Sequence, residues 1–342
     1  MISANQMKKA LLTSLVFIFC CTLSFAQDTP EESLAKRFAN WRERSMMKGC
    51  DTAYIQLPEN AWTIKLNGIS TFSQLNIQFN NIPNYESAKM RIGSGIGFKS
   101  SFSLAYRGLE LGYTIDQVNR YNQDIKLNLY NKRFGGEFQY QSYRMTNSTL
   151  EVSNPDSTFN FKNDYTNRMT VNFYYVFNYK TFSYPAAITQ AYMQKKSAGS
   201  FLLGASFFRN RIKPFVDGTE LSSIYNPIYT INQASIGGGY GYNFVCCKSR
   251  LLFHLSAMPM LLFTISQHST GNLPEAYDNL ESGFPVTATV ISRAAVCYTY
   301  QDRLILGLNA IYNHTRSSSS DDISLTSNGW IVQCCLGWRF LD

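Results

Sequence analysis

The stretch Val286-Thr-Ala-Thr-Val-Ile-Ser-Arg-Ala-Ala-Val-Cys-Tyr-Thr-Tyr300-Gln-Asp-Arg303-Leu-Ile-Leu-Gly-Leu-Asn-Ala-Ile-Tyr312 decides the fold. Val286, Ala288, Val290, Ala294, Val296, Tyr298 and Tyr300 fall on one face, opposite Thr287, Thr289, Arg293 and Thr299. After Gln301-Asp302 the alternation resumes, with Leu304, Leu306, Leu308, Ala310 and Tyr312 against Arg303, Gly307, Asn309 and Asn313. A period of two is the signature of a β-strand, because successive side chains point to opposite faces. The apolar rows run for ten residues or more, about what a tilted strand needs to cross a bilayer and twice an ordinary globular strand.

The same pattern extends outward in both directions. Twelve strands are expected near 62–80, 91–106, 109–117, 125–131, 133–145, 167–180, 200–210, 233–246, 250–266, 285–300, 303–315 and 328–340. A parity slip near Thr71–Ser73 predicts a bulge or break. Tyr106, Tyr179, Tyr298, Tyr300, Tyr312, Trp338 and Phe340 collect at strand ends, as interface girdles do. Long and short connections alternate, the habit of outer-membrane barrels; the exception is 181–199, long where a tight turn belongs. The expected fold is therefore a single all-β transmembrane antiparallel barrel of about twelve strands, with lipid-facing apolar rows. A soluble periplasmic sandwich binding apolar ligands, its oily rows turned inward, is the competing arrangement.

Bulk composition agrees. Charged residues make up only 16% of the 342 residues, while Tyr and Phe number 22 and 24. Mean hydropathy is −0.19, too low for a helical membrane protein. At the start, Met7-Lys8-Lys9 precedes the apolar run Ala10–Leu23, and Ser24-Phe25-Ala26 supplies small residues before Gln27. That reads as a signal peptide over 1–26, cleaved after Ala26, and hence as export to the outer membrane. Its loss removes two of 31 Lys+Arg, leaving 29 against 23 Asp+Glu, a diffuse +6. No basic block interleaved with aromatics points to nucleic acid. Segment 27–56 is expected to be periplasmic and helical: Thr29-Pro30-Glu31-Glu32 makes a helix start, Leu34, Phe38 and Trp41 an apolar stripe, and Gly49 a stop. The barrel then occupies 57–342.

The chemistry is sparse. Cys50, Cys246, Cys247, Cys297, Cys334 and Cys335 are too dispersed for a disulfide scaffold and show no metal spacing, so neither metal nor cofactor is expected. The rows Gly93, Gly95, Gly97 and Gly237-Gly238-Gly239 with Gly241 lack a phosphate-loop Lys and suit close packing. Inward-facing ions are expected at Lys65, Arg91, Lys99, Glu110, Asp116, Lys126, Glu137, Arg168, Arg293, Arg303 and Arg339, a hydrated filling or an anion-preferring pore. His254 and Ser256 share a strand face, so the imidazole is in reach of the hydroxyl. They resemble the His-x-Ser pair of outer-membrane phospholipases, but face away from the longer apolar row, and no orienting Asn or Asp is assignable from sequence. The protein is expected not to be an enzyme, with a lipid hydrolase as the alternative. Gly337-Trp338-Arg339-Phe340, followed by Leu341 and Asp342, resembles the terminal signal read by barrel-assembly machinery.

The anomalous connection carries a family resemblance. Phe182-Ser183-Tyr184, Ala186-Ala187, Gln190 and Gln194-Lys195-Lys196-Ser197-Ala198-Gly199-Ser200-Phe201-Leu202-Leu203-Gly204 resemble the signature of a Bacteroidetes family, domain of unknown function 4421. Asp51-Thr52-Ala53-Tyr54-Ile55 and Leu127-Asn128-Leu129-Tyr130-Asn131-Lys132-Arg133-Phe134 are similar to its other recurrent pieces. The resemblance spans about 50–340. It implies an outer-membrane-type barrel of unassigned function and brings no catalytic residues. The role expected from the strand pattern itself is structural or small-solute permeation, in contact with outer-membrane lipids.

Overall fold

The computed structural model describes residues 34–82, 85–93, 96–116, 122–145, 147–153, 157–161, 164–213, 228–270, 286–320 and 323–341. The signal-peptide segment and the expected helix start at Thr29–Glu32 lie outside them. The chain divides into two compact units, Met1–Lys48 and Gly49–Asp342. The first contains helix α1 (Leu34–Met47).

In the second unit the described strands are β1 (Ile55–Gln56), β2 (Trp62–Ile82), β3 (Tyr85–Gly93), β4 (Gly97–Tyr106), β5 (Leu109–Asp116) and β6 (Gln123–Tyr130). They continue with β7 (Phe134–Met145), β8 (Asn147–Ser153), β9 (Ser157–Phe161) and β10 (Asp164–Val176). After the short helix α2 (Tyr184–Ile188) come β11 (Met193–Gln194), β12 (Ala198–Lys213), β13 (Ile228–Cys246) and β14 (Leu251–Thr270). The last three are β15 (Val286–Tyr300), β16 (Leu304–Ser320) and β17 (Ile323–Phe340). Twelve of them form one antiparallel ladder in the order β2, β4, β5, β6, β7, β10, β12, β13, β14, β15, β16, β17. Pairing of β17 with β2, from Phe340↔Trp62 to Ile323↔Phe79, closes it into a barrel. The twelve expected strands all have counterparts.

Closure works because the alternation is inverted relative to a soluble core. Phe98 (68% exposed), Phe173 (60%) and Leu255 (59%) point outward, while Ser101, Ser103, Thr114 and Asn243 are buried inside. The sandwich reading is thereby overturned: the oily rows look away from one another. Near the short turns the outward face becomes aromatic, with ring contacts Trp62–Tyr106 at 4.8 Å, Phe134–Tyr175 at 5.2 Å and Phe201–Tyr240 at 5.3 Å. Such rings suit a headgroup boundary.

Three expectations need correction. The strand expected over 91–106 is split: β3 leaves the barrel and pairs with the far half of β2 and with β8, which pairs with β9. Arg91 consequently lies on this extension, with Glu151 at 3.9 Å, and not in the lumen. The parity slip at Thr71–Ser73 marks the point where β2 exchanges partners: Thr71 pairs with Gly97 of β4, and Gln74 with Gly93 of β3. Along its other edge β2 stays in register with β17. Arg303 sits exposed in the turn before β16 and is not inward-facing.

The glycine row of β13 lies where β14 carries Pro259, which has no N–H to donate. A β-carbon on Gly237 would stand 2.2 Å from the Pro259 carbonyl oxygen, and one on Gly239 would stand 2.0 Å from that of Ala257. Only glycine lets the two backbones approach so closely.

Candidate functional site

The anomalous connection folds into the barrel. Between β10 and β12 the chain turns inward at Phe182, forms α2 and returns through β11, which pairs with β1 as Ile55↔Gln194 and Gln56↔Met193. Ser183 caps α2, its Oγ accepting from Ala186 N at 3.3 Å, and Pro185 follows where its missing N–H costs nothing. Phe182, Tyr184 and Ala187 are buried against wall residues Leu202, Met258 and Met260 on one side and Leu252, Ala295 and Ile305 on another. The lumen is therefore apolar at this end, which departs from an entirely hydrated filling. Strand β14 is oily on both faces here, so its period-two signal reveals orientation but not the inner packing.

A segment without regular ladder bonds exposes buried carbonyls, and each needs a donor. Three wall residues supply them. Lys65 on β2 donates to Thr189 O at 2.7 Å and to Glu110 Oε2 at 3.2 Å. Arg339 on β17 donates to Gln190 O at 2.9 Å and to Asp302 Oδ1 at 2.7 Å. Asn243 on β13 donates to Ser183 O at 2.9 Å and to Gln194 Oε1 at 3.1 Å. Within the segment, Gln194 Nε2 donates to Thr181 O and Lys196 O, and Gln194 Oε1 accepts from Ser183 N at 2.8 Å. Of the other signature residues, Lys195 and Lys196 are exposed at this rim, Ser197 Oγ accepts from Val245 N, and Ser200 Oγ accepts from Asn178 N. Gly199 leaves room for Tyr240 and Tyr242.

Above the segment an ion pair crosses the lumen. Arg293 of β15 donates to Glu137 of β7 through both terminal nitrogens, at 3.1 and 3.2 Å. Asn172 and Tyr174 also donate to Glu137 Oε2, at 3.0 and 2.6 Å, and Tyr130 donates to Oε1. Tyr174 and Tyr184 lie under the guanidinium at 5.1 and 5.9 Å. Lys99 stands over the Tyr143 ring, and Arg168 donates to Asn210 Oδ1 at 2.8 Å.

The remaining lumen is a cavity of about 380 Å³ whose charged wall is Lys65, Lys126, Arg168, Arg293, Glu110 and Glu137. Ile188, Thr189 and Gln190 bound it at the short-turn end. Thr189 and Gln190 also line a second cavity of about 20 Å³ against Pro58 and Arg107, with room for about one water. At the adjoining rim Arg133 stacks 3.9 Å over Tyr179 and donates to its hydroxyl, pulling that phenol below its usual range. Burial pushes the Cys50 thiol up, and Lys132 opposes the shift. Among the described residues no cluster of three His, Cys, Asp or Glu could hold a metal.

His254 and Ser256 face inward, and the structure adds the partner that was missing. Asn243, directly across the hairpin from His254, places Oδ1 2.7 Å from His254 Nδ1, while Nε2 stands 3.0 Å from Ser256 Oγ. Counting back three residues on each strand from the Cys246↔Leu251 pair finds Asn243. The expected turn, 247–249, was one residue shorter than the real one, and that hid it.

These features define the class: a closed, outer-membrane-type β-barrel with a segment of its own chain lodged in the lumen. The chain belongs to the family described as domain of unknown function (DUF4421), which matches residues 50–340. A comparison with curated proteins gives no match. Among solved structures the chain is similar to the outer membrane protease OmpT of Escherichia coli, at 9% identity and TM-score 0.40, with 83% of this chain and 97% of that chain covered. It is similar to the beta domain of the Bordetella autotransporter BrkA, at 11% identity and TM-score 0.40, covering 82% and 100%. A third is OprG of Pseudomonas aeruginosa, at 9% identity and TM-score 0.31, covering 85% and 100%.

Proposed function

We propose that this protein is exported by its first 26 residues, inserted into the outer membrane through recognition of β17, and acts there as a gated barrel for small anionic solutes. The observation that carries the reading is the segment 181–196, fastened across the short-turn end by Lys65, Asn243 and Arg339. The cavity beyond it supports an anion preference: Lys65 and Arg293 are matched by Glu110 and Glu137 and Lys126 lies near the buried Asp124, while Arg168, which donates to the neutral Asn210, adds a further positive charge to its wall. Solutes enter from the long-loop end, and passage requires the segment to shift.

Planar-bilayer recording tests this. The wild-type protein should be nearly silent. Replacing residues 184–190 by a short Gly-Ser turn should produce steady conductance steps, with a reversal potential under a KCl gradient that favours chloride. Steady steps of equal size in both proteins would refute the closure, and a cation-selective reversal potential would refute the preference.

A further inference from the structure

Three polar side chains on β13 and β14 form a chain that ends on a hydroxyl. Asn243 and His254 are out of solvent, at 0% and 1% exposure, whereas Ser256 is partly exposed. The roles of their atoms follow from the inward segment. Gln194 has its amide nitrogen committed to two carbonyls, so its Oε1 is an acceptor, and Ser183 O is an acceptor by nature. Asn243 Nδ2 faces both, which turns its Oδ1 toward His254. His254 Nδ1 must then carry the proton, leaving Nε2 with its lone pair 3.0 Å from Ser256 Oγ. That is the tautomer a general base needs beside a nucleophile.

The surroundings supply the remaining part. Ser256 pairs across the ladder with Arg293, whose Nε is buried without an acceptor among the described residues and whose side chain lines the cavity. Tyr184, from the inward segment, packs edge-on against the His254 ring, with centroids 5.4 Å apart. Of the three side chains, Asn243 fastens the segment through its amide nitrogen and His254 packs its ring on Phe182 and Tyr184; neither contact requires Nδ1 to face Asn243 and Nε2 to face Ser256.

We infer that Ser256, His254 and Asn243 form a nucleophilic site that hydrolyses a small, water-soluble carboxylic ester admitted to the lumen. His254 Nε2 takes the Ser256 proton as Oγ bonds to the ester carbonyl carbon, and the carbonyl oxygen takes the displaced electron pair beside Arg293. Collapse breaks the bond to the leaving oxygen, which receives the proton from Nε2 and departs as the alcohol. Water then adds to the acyl-serine, one of its protons passing through Nε2 back to Oγ, and the carboxylic acid departs. Because the site faces the lumen, a bilayer lipid is not its substrate. Asn243 is a positioning residue.

The inference rests on solutes reaching the lumen, so the test separates the two. Full-length protein in detergent, its fold confirmed by heat-dependent gel mobility, is treated with a small ethyl fluorophosphonate and with p-nitrophenyl acetate. Mass spectrometry should map a phosphonyl adduct to Ser256, and Ser256→Ala should abolish both adduct and hydrolysis. Asn243→Ala should slow adduct formation about 10²-fold and alter its pH profile, whereas release of the lodged segment alone, the structural consequence of losing Asn243, would open Ser256 and speed it. A Ser256→Cys variant treated with a small methanethiosulfonate reports access. If that variant reacts while wild-type Ser256 does not, the hydrolase is overturned and solute access stands; if neither reacts, both fall. Equal hydrolysis by wild type and Ser256→Ala also overturns the site.

Discussion

At the scale of the residue, the inward ions divide by what they hold. Lys65 and Arg339 each carry one carboxylate partner and one backbone carbonyl of the lodged segment, so their charge is neutralised while their spare donors secure the chain. Arg293 and Glu137 instead tie opposite walls together. Removing one member of a buried pair leaves the other desolvated and uncompensated, at a cost of about 3–5 kcal/mol. Glu137→Gln should therefore lower stability by about that amount in urea-unfolding titrations from lipid vesicles, and the double variant Glu137→Gln with Arg293→Met should recover most of it. A single variant as stable as wild type would show that the pair is solvated. The residue types were legible in the sequence. Their partners were not, because Glu137 and Arg293 meet only after the four barrel strands between β7 and β15 have curved the sheet on itself.

At the scale of the element, the strands were readable and the connection between β10 and β12 was not. Alternation reports burial on two faces, and a lumen segment has no such period. What betrayed 181–199 was its length at a place where a tight turn was expected. Its packing makes it a separable unit: Phe182 is fully buried within the inner apolar cluster. Phe182→Ala should cost the segment about 3–5 kcal/mol. Amide hydrogen exchange should then speed up across 181–196 while the β13 and β14 ladders keep their protection; loss of protection throughout the barrel would mean that the segment is no separate element. The strand expected over 91–106 failed for a different reason. β3 and β4 both alternate, and alternation says nothing of which neighbour a strand joins.

At the scale of the whole molecule, the decisive property is that the hydrocarbon lies outside. Leu261, exposed on the outer face of β14, tests it. Leu261→Arg should destabilise the barrel in lipid by about 2–4 kcal/mol, read as a urea-midpoint shift, because a lipid-facing cation near mid-strand has no water to meet. No shift would place that face outside the membrane. The seam from Trp62↔Phe340 to Phe79↔Ile323 removes the free sheet edges that lipid cannot satisfy.

The sequence by itself determined the period of two, the strand count and the kinship carried by 182–204. All of these are local properties, written in the order of side chains along one strand or one segment. Only the tertiary structure decided that the signature segment occupies the lumen, that Lys65, Asn243 and Arg339 hold it there, and that Asn243 orients His254 toward Ser256. Those contacts depend on hairpin register and on barrel curvature. A one-residue difference in a turn changes which side chains meet, and nothing in composition or spacing fixes that difference.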